Sequence, residues 1–314
     1  MTLKLGFVVV FHNAEEYVTR VLDGVIACLG KDDVLVVVAD GCTDLTAENC
    51  RRDISSLNCE KIFLETSDLH EIGALNEAFG ELKKYSPDFV VHVQGDMILD
   101  PKTFPILRSR LDTASRIGLI SLRMGGCPTS DVENISISYK ERNFGHNYKG
   151  AIQRNQKVIL EECCIAGRGP IIISSELMIA NAWTIDNNLK PHSMDDVDMS
   201  FLALEMNLKN YSINLPFRSD VTWGATRNPN RSYQDSVDIS ALKNLSYITA
   251  KHSKLLADIV KPHKHNDEYI TDVRIGFNFL VGSHINRELL SPKRNLFRRV
   301  RKKIAYLVST KSAG

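Results

Sequence analysis

Seven consecutive residues, Leu5 to Phe11, carry no polar side chain, and a β-branched and aromatic run of that length reads as a strand buried on both faces. Val34 to Ala39 repeats the pattern, Phe89 to Val93 does so apart from His92, and Lys61 to Glu65 and Gly118 to Leu122 read as further strands. Helical stretches separate them. One runs from Ala14 to about Leu29, with Asn13 able to cap it and Gly30 to stop it; a second starts at Asp44 or Thr46; a third runs from His70 to Lys84; Pro101 suits the first turn of a fourth. Strands that alternate with helices imply βαβ units and a mostly parallel sheet with both faces covered. In such sheets ligands meet the carboxyl ends of the strands. Asp40 and Asp96 both fall at such ends.

Two acidic clusters lie where chemistry would need them. Gln94-Gly95-Asp96 follows the strand that ends at Val93, and Asp195-Asp196-Val197-Asp198 opens a helix reaching about Leu208. A carboxylate at a strand exit can hold a hard cation that bridges a diphosphate. A carboxylate pair at a helix start can place a general base. Together they point to transfer of a group from a nucleoside diphosphate to a hydroxyl. Each cluster also has a plainer reading, the first as a turn, the second as acids matched to a helix dipole.

Between Met124 and about Glu162 the pattern is less regular, with Gly125-Gly126 and Pro128, and reads as an insertion or lid. Gly167-Arg168-Gly169-Pro170 then feeds a strand at Ile171 to Ile173, and Tyr211 to Leu215 is another. Beyond Tyr233 the chain reads as helical.

The order of these motifs resembles the family-2 glycosyltransferases of the GT-A fold. Phe7 to Asn13 resembles their opening strand, which ends in an aromatic-Asn pair. Val36 to Thr46 resembles their Asp-Asp-Gly-Ser-x-Asp-x-Thr segment, and Gly73 to Ala78 resembles the glycine-to-asparagine helix before the metal motif. Gln94-Gly95-Asp96 stands where the family carries Asp-x-Asp, and Asp195 to Ser200 resembles its Glu-Asp-x-Asp helix. The resemblance covers roughly residues 4 to 225. It implies an α/β GT-A domain over residues 1–232, with a nucleotide-binding part to about 123 and an acceptor part from about 124, followed by a helical extension over 233–314. Two departures stand out: Ala39 replaces the first Asp of the nucleotide-contact pair, and Gln94 the first Asp of the metal motif.

The resemblance implies an inverting transfer from a nucleotide-diphosphate sugar to a hydroxyl of a glycan or lipid-linked acceptor, in cell-surface polysaccharide or glycolipid synthesis. Asp196 is then the general base with Asp195 beside it, and Asp96 the ligand of Mn2+ or Mg2+. Phe11, Asn13, Asp40, Asp44, Asn76, Gln94 and Gly95 line the nucleotide sugar. Arg168 meets the acceptor or diphosphate, and Arg227 or Arg231 closes over the diphosphate. Trp223 suits either a sugar ring or a core, and His192 is a possible extra ligand. Asn13, Asp40 and Asp44 also fit ordinary turn and cap chemistry.

A formal net charge of +1 gives no general reason to expect a nucleic-acid partner. From Ser291 onward, however, there are eight Lys or Arg and no Asp or Glu. There Phe297, Val300, Ile304, Leu307 and Val308 share one helical face, so residues 293–308 read either as a basic amphipathic helix for an anionic membrane surface or as a helix packed on the catalytic domain. Seven cysteines at irregular spacings suit reduced thiols better than a disulfide or zinc framework. With no signal-peptide pattern and no apolar run of about 20 residues, the expected location is the cytoplasm, either free or peripheral on the inner face of the plasma membrane. Two competing readings are a degenerate sugar-nucleotide binder, favoured by Ala39 and Gln94, and a sugar-nucleotidyltransferase. The latter wants a glycine-rich basic loop where His12-Asn13-Ala14-Glu15-Glu16 stands.

Overall fold

The computed structural model describes residues 3–102, 104–113, 116–131, 134–141, 160–190, 194–213, 215, 217–218, 231–262 and 280–281. In chain order the first part comprises β1 (Leu5–Phe11), α1 (Val18–Ile26), β2 (Val34–Asp40), α2 (Thr46–Ile54), β3 (Glu60–Thr66), α3 (His70–Leu82), β4 (Phe89–Gln94), β5 (Ile98–Leu99), α4 (Phe104–Thr113) and β6 (Ile117–Ser121). The second part comprises β7 (Met124–Asp131), β8 (Asn134–Glu141), β9 (Leu160–Cys163), β10 (Ile165–Ala166), β11 (Ile171–Ser174), α5 (Ser175–Ala180), α6 (Asp195–Glu205), β12 (Lys209–Ile213) and β13 (Phe217–Arg218). Then come α7 (Arg231–Lys251), α8 (Ser253–Ile259), β14 (Lys261–Pro262) and β15 (Leu280–Val281).

The main sheet has the order β3-β2-β1-β4-β11-β6-β12-β9. Its first four strands are parallel, as the apolar runs require. Strand β11 enters antiparallel between β4 and β6, and β9 closes the far edge antiparallel to β12. The strands are buried on both faces because two cores flank them. Along β1, Val8 packs into the core shared with α3, α5 and α6, while Phe7 and Val9 pack into the core shared with α1, α2 and α4. His92 on β4 shares a face with Val90 and so looks toward α3 and α6.

Several details differ from the sequence reading. Helix α1 starts at Val18, because residues 14–17 form a turn closed by Val18 N–H to the Ala14 carbonyl at 2.9 Å. Asn13 does not cap it: with φ at 46° its side chain turns to the neighbouring loop. The described part of the stretch from Met124 to Glu162 is regular. Strands β7 (124–131) and β8 (134–141) pair antiparallel inside a second sheet of order β10-β7-β8-β15. Residues 142–159 lie outside the described residues. The region after Tyr233 is helical through α7 and α8, but β14 and β15 return to pair with β7 and β8. The basic stretch 293–308 lies outside the described residues. Among those described, no helix is long and apolar enough to cross a membrane. All seven cysteines are free.

Candidate active site

Strand β1 has β2 on one side and β4 on the other, so the chain's direction of travel across the sheet reverses between β1 and β4. The carboxyl ends of strands at such a reversal are the usual ligand position in an open parallel sheet. The register puts Phe11 opposite Ala39, and Val10 opposite Gln94, so the ends of β1, β2 and β4 finish level.

Gln94-Gly95-Asp96 makes the turn out of β4, closed by the Met97 N–H to the Gln94 carbonyl at 2.9 Å. All three are half-buried. Gly95 is needed for close approach: a Cβ there would sit 2.3 Å from the Val10 carbonyl oxygen and 2.9 Å from the Phe11 ring. A Gly95→Ala variant is therefore expected to lose about 1–3 kcal/mol of stability, by the overpacking it forces on β1. An unchanged denaturant midpoint would contradict this packing.

The loops after β1 and β2 are sewn together by side chains. Asn13 Oδ1 accepts from the Thr43 N–H at 2.8 Å, and Thr46 Oγ1 accepts from the Ala14 N–H at 2.6 Å. Asp44 accepts from the N–H groups of Thr46 at 3.0 Å and Glu15 at 3.2 Å. Burial would raise its pKa, but these bonds, with one from the Thr46 side chain, outweigh that and hold it below the usual carboxylate range. His12 Nδ1 lies 2.7 Å from the Asp40 carbonyl oxygen. The carboxylate of Asp40 accepts from Thr66 Oγ1 at 2.6 Å and the Leu69 N–H at 2.7 Å. Gly41, at φ 55°, lets Asp68 approach so closely that a Cβ would meet its Cβ at 2.5 Å.

Thus the structure gathers Asn13, Asp40, Asp44, Gln94, Gly95 and Asp96 at one sheet edge, and shapes much of that edge with their side chains. Phe11 contributes differently from the sequence expectation, since its ring is 1% exposed and belongs to the core. Asn76 also departs from expectation. Its amide grips the far loop, accepting from the Ile185 N–H at 2.6 Å and donating to the Ile185 carbonyl at 3.1 Å and Asn187 Oδ1 at 3.0 Å. Arg227, Trp223 and His192 lie outside the described residues. Arg231 opens α7, but its side chain lies outside what the structure describes.

The second acidic cluster is buried. Asp195 and Asp196 are 5% and 8% exposed on the first turn of α6, behind Met194 in a left-handed conformation (φ 74°). Arg168 is not turned to an open acceptor surface. Its guanidinium pairs with Asp195 through Nη2 and with Glu71 Oε2 through Nη1 at 2.5 Å, while its backbone N–H donates to Asp196 Oδ2 at 2.7 Å. Burial disfavours the arginine's charge, but Asp195, Glu71 and Asp196 outweigh it and hold Arg168 firmly protonated. For Asp196, burial and the charge of Asp195 win over Arg168 and lift the pKa to about 6. That value suits a group that must accept a proton near neutrality.

Two residues of this cluster were not picked out from the sequence. Glu71, on the first turn of α3, completes the arginine's fork. His92, 3% exposed, joins Arg168, Asp195 and Asp196 around a cavity of about 10 Å³, and burial pushes its pKa below the ordinary range. The cavity is at the lower limit for a single water.

A mostly parallel sheet with an acidic turn at its switch point, and a helix that opens on paired acids, matches the GT-A class of α/β proteins. The chain belongs to glycosyl transferase family 2, whose description matches residues 7–170. Among solved structures it is similar to Staphylococcus aureus TarS residues 1–349 in complex with UDP-GlcNAc, at 17% identity and TM-score 0.55, over 94% of this chain and 75% of that one. It is also similar to the mannosyltransferase PcManGT from Pyrobaculum calidifontis in complex with GDP-Man and Mn2+, at 15% identity and TM-score 0.51, over 80% of this chain and 64% of that one. The match spans 44% of a longer TarS chain. No curated protein sequence matches the chain.

Proposed function

We propose that the protein is a nucleotide-sugar glycosyltransferase that inverts the anomeric centre, with Asp196 as general base. The observation that carries this is the buried Asp195–Asp196 pair at the start of α6, clasped by Arg168 and shifted toward neutrality, in a chain of this family. Asp196 takes the proton of the acceptor hydroxyl as its oxygen bonds to the anomeric carbon. The bond from that carbon to the diphosphate breaks, and the nucleoside diphosphate leaves with the electron pair. Gln94 offers an amide to a ribose hydroxyl, and the turn at Gly95 brings Asp96 beside the end of β1.

The donor set fits a divalent metal carried with the diphosphate. Asp96 supplies one hard oxygen ligand, and among the described residues no group of three or more His, Cys, Asp or Glu forms a protein cage. Mg2+ and Mn2+ suit one or two carboxylates completed by phosphate oxygens and water. Such an ion, held by Asp96, would neutralise charge on the leaving diphosphate. PcManGT was solved with Mn2+ and a GDP sugar, and TarS with a UDP sugar, which supports a nucleotide-sugar donor here. The proposed acceptor is a glycan or lipid-linked glycan, and the basic and apolar residue pattern in the sequence of residues 293–308 supports contact with an anionic membrane on its cytoplasmic side.

Thermal unfolding with UDP, GDP, dTDP or CMP, each with Mn2+, Mg2+ or EDTA, tests the donor half. One nucleotide is expected to raise the midpoint by several degrees only with metal, since a ligand at 100 times its Kd stabilises by about 2.7 kcal/mol. No shift with any nucleotide would refute the donor assignment, whereas a shift without transfer would favour the degenerate binder suggested by Ala39 and Gln94.

A further inference from the structure

The third acid of the α6 cluster leads to a different part of the molecule. Asp198 is fully buried, two residues beyond Asp196. Its Oδ2 accepts from Lys251 Nζ at 2.9 Å, and its Oδ1 lies 2.9 Å from His252 Nε2. His252 Nδ1 lies 2.9 Å from Glu205 Oε1. Ionised carboxylates only accept hydrogen bonds, so an imidazole between two of them donates from both nitrogens and is an imidazolium. Burial opposes that charge, but the bonds to Asp198 and Glu205 outweigh it and raise the His252 pKa. Lys251 reaches on to Asp186 Oδ2 at 2.8 Å, which Tyr247 Oη also meets at 2.8 Å. Asp186 follows Ile185, the residue gripped by Asn76.

Three buried carboxylates within four residues of one helix repel each other more than a helix N-terminus can offset, since the dipole contributes only about 0.3–1 kcal/mol per charge in ordinary settings. Arg168 serves Asp195 and Asp196 from one side. The α7–α8 junction serves Asp198 from the other. A buried ion network of this kind is a poor source of stability compared with apolar packing, so its geometry is the better guide to its use.

We propose that Lys251 and His252 are positioning residues for Asp196: by neutralising Asp198 they fix the first turn of α6 and set the electrostatic surroundings in which the base works. The inference rests on Asp196 acting as that base. The charged groups around it are Asp195, Arg168 and Glu71, with buried His92, and beyond them Asp198 with Lys251, His252, Glu205 and Asp186.

The test is a pH titration of the Asp196 carboxyl by carbon-13 NMR in the full chain, assigned by its loss in Asp196→Asn. It is paired with kcat and KM for transfer. His252→Gln is expected to raise the midpoint by about 0.5–1 pH unit through the uncompensated charge of Asp198. Its kcat should fall about tenfold while the donor KM stays within about twofold, the pattern of a lost positioning contact. Asp198→Asn combined with His252→Gln should return the midpoint to its parental value. A midpoint unmoved in His252→Gln, or raised equally in the double variant, would overturn the proposal. If His252→Gln does not fold, Lys251→Met carries the same comparison. Absence of transfer in the parent would refute the assigned function, whereas the carboxyl titration would still show whether Lys251 and His252 control the surroundings of Asp196.

Discussion

Replacing Asp196 by Asn is expected to reduce turnover by about 10²–10⁴-fold, the contribution of a positioned general base. Nucleoside-diphosphate binding should persist, because the donor edge is built from β1, β2 and β4 and the altered side chain sits on α6. The change is nearly isosteric, and an amide can still accept from the backbone N–H of Arg168, so the site should keep its shape. The pH profile provides a second reading. The base works only when ionised, so kcat/KM of the parent should fall as pH drops below about 6. In the Asn variant that acid limb should vanish, leaving a low and flatter rate. A variant that turns over normally, or retains the limb, would remove Asp196 from the mechanism.

Arg168→Met is expected to cost about 3–5 kcal/mol in stability, the penalty for leaving buried charges without their partner. Its guanidinium is 15% exposed and faces both Asp195 and Glu71, so no solvent shell is ready to replace it. The loss should depend on pH with a definite sign. Asp196 already binds its proton more tightly than the ordinary value of 3.8, up to about 6, so its contribution to stability is full below the unfolded pKa and is lost as pH rises through the folded one. Removing Arg168 strengthens that proton affinity further. Denaturant unfolding should therefore show a smaller deficit at about pH 5 than at about pH 8. A deficit independent of pH, or below about 1 kcal/mol, would contradict an arginine that neutralises this cluster.

The parallel half of the fold was legible because burial on both faces leaves an unmistakable trace: apolar runs at β1, β2 and β4, the last broken only by His92, each separated by a helical period. The two acidic clusters were legible because one follows such a run and the other opens a helix. The β7–β8 pair was missed although Ile135, Ile137 and Tyr139 alternate with Ser136 and Ser138, the signature of a strand with one buried face; the glycines and Pro128 of the partner strand obscured it. The antiparallel entry of β11 leaves no local trace, since Ile171 to Ile173 would look the same in either direction. Glu71 and His92 were hidden for another reason. Glu71 lies 97 residues from Arg168, and Asn76 lies 109 from Ile185, so their roles exist only once the chain has closed. Arg168 was picked out as a site residue from its glycine turn, but nothing local showed that it would turn inward to the acids.

Strands β6 and β11 are sheet neighbours although about fifty residues separate them, and the Leu122 N–H meets the Pro170 carbonyl at 3.0 Å where they part. Between them, β7, β8 and β10 belong to the second sheet while β9 pairs with β12 at the far edge of the main one, and the base of the excursion is held by that backbone bond. Lengthening such an excursion costs little, roughly 0.6 kcal/mol for each doubling of a flexible loop. The β7–β8 pair, carried by the second sheet, is therefore the exchangeable part of that excursion. Evolution or an engineer can exchange it without re-registering the donor strands, provided Arg168 is returned to the same place.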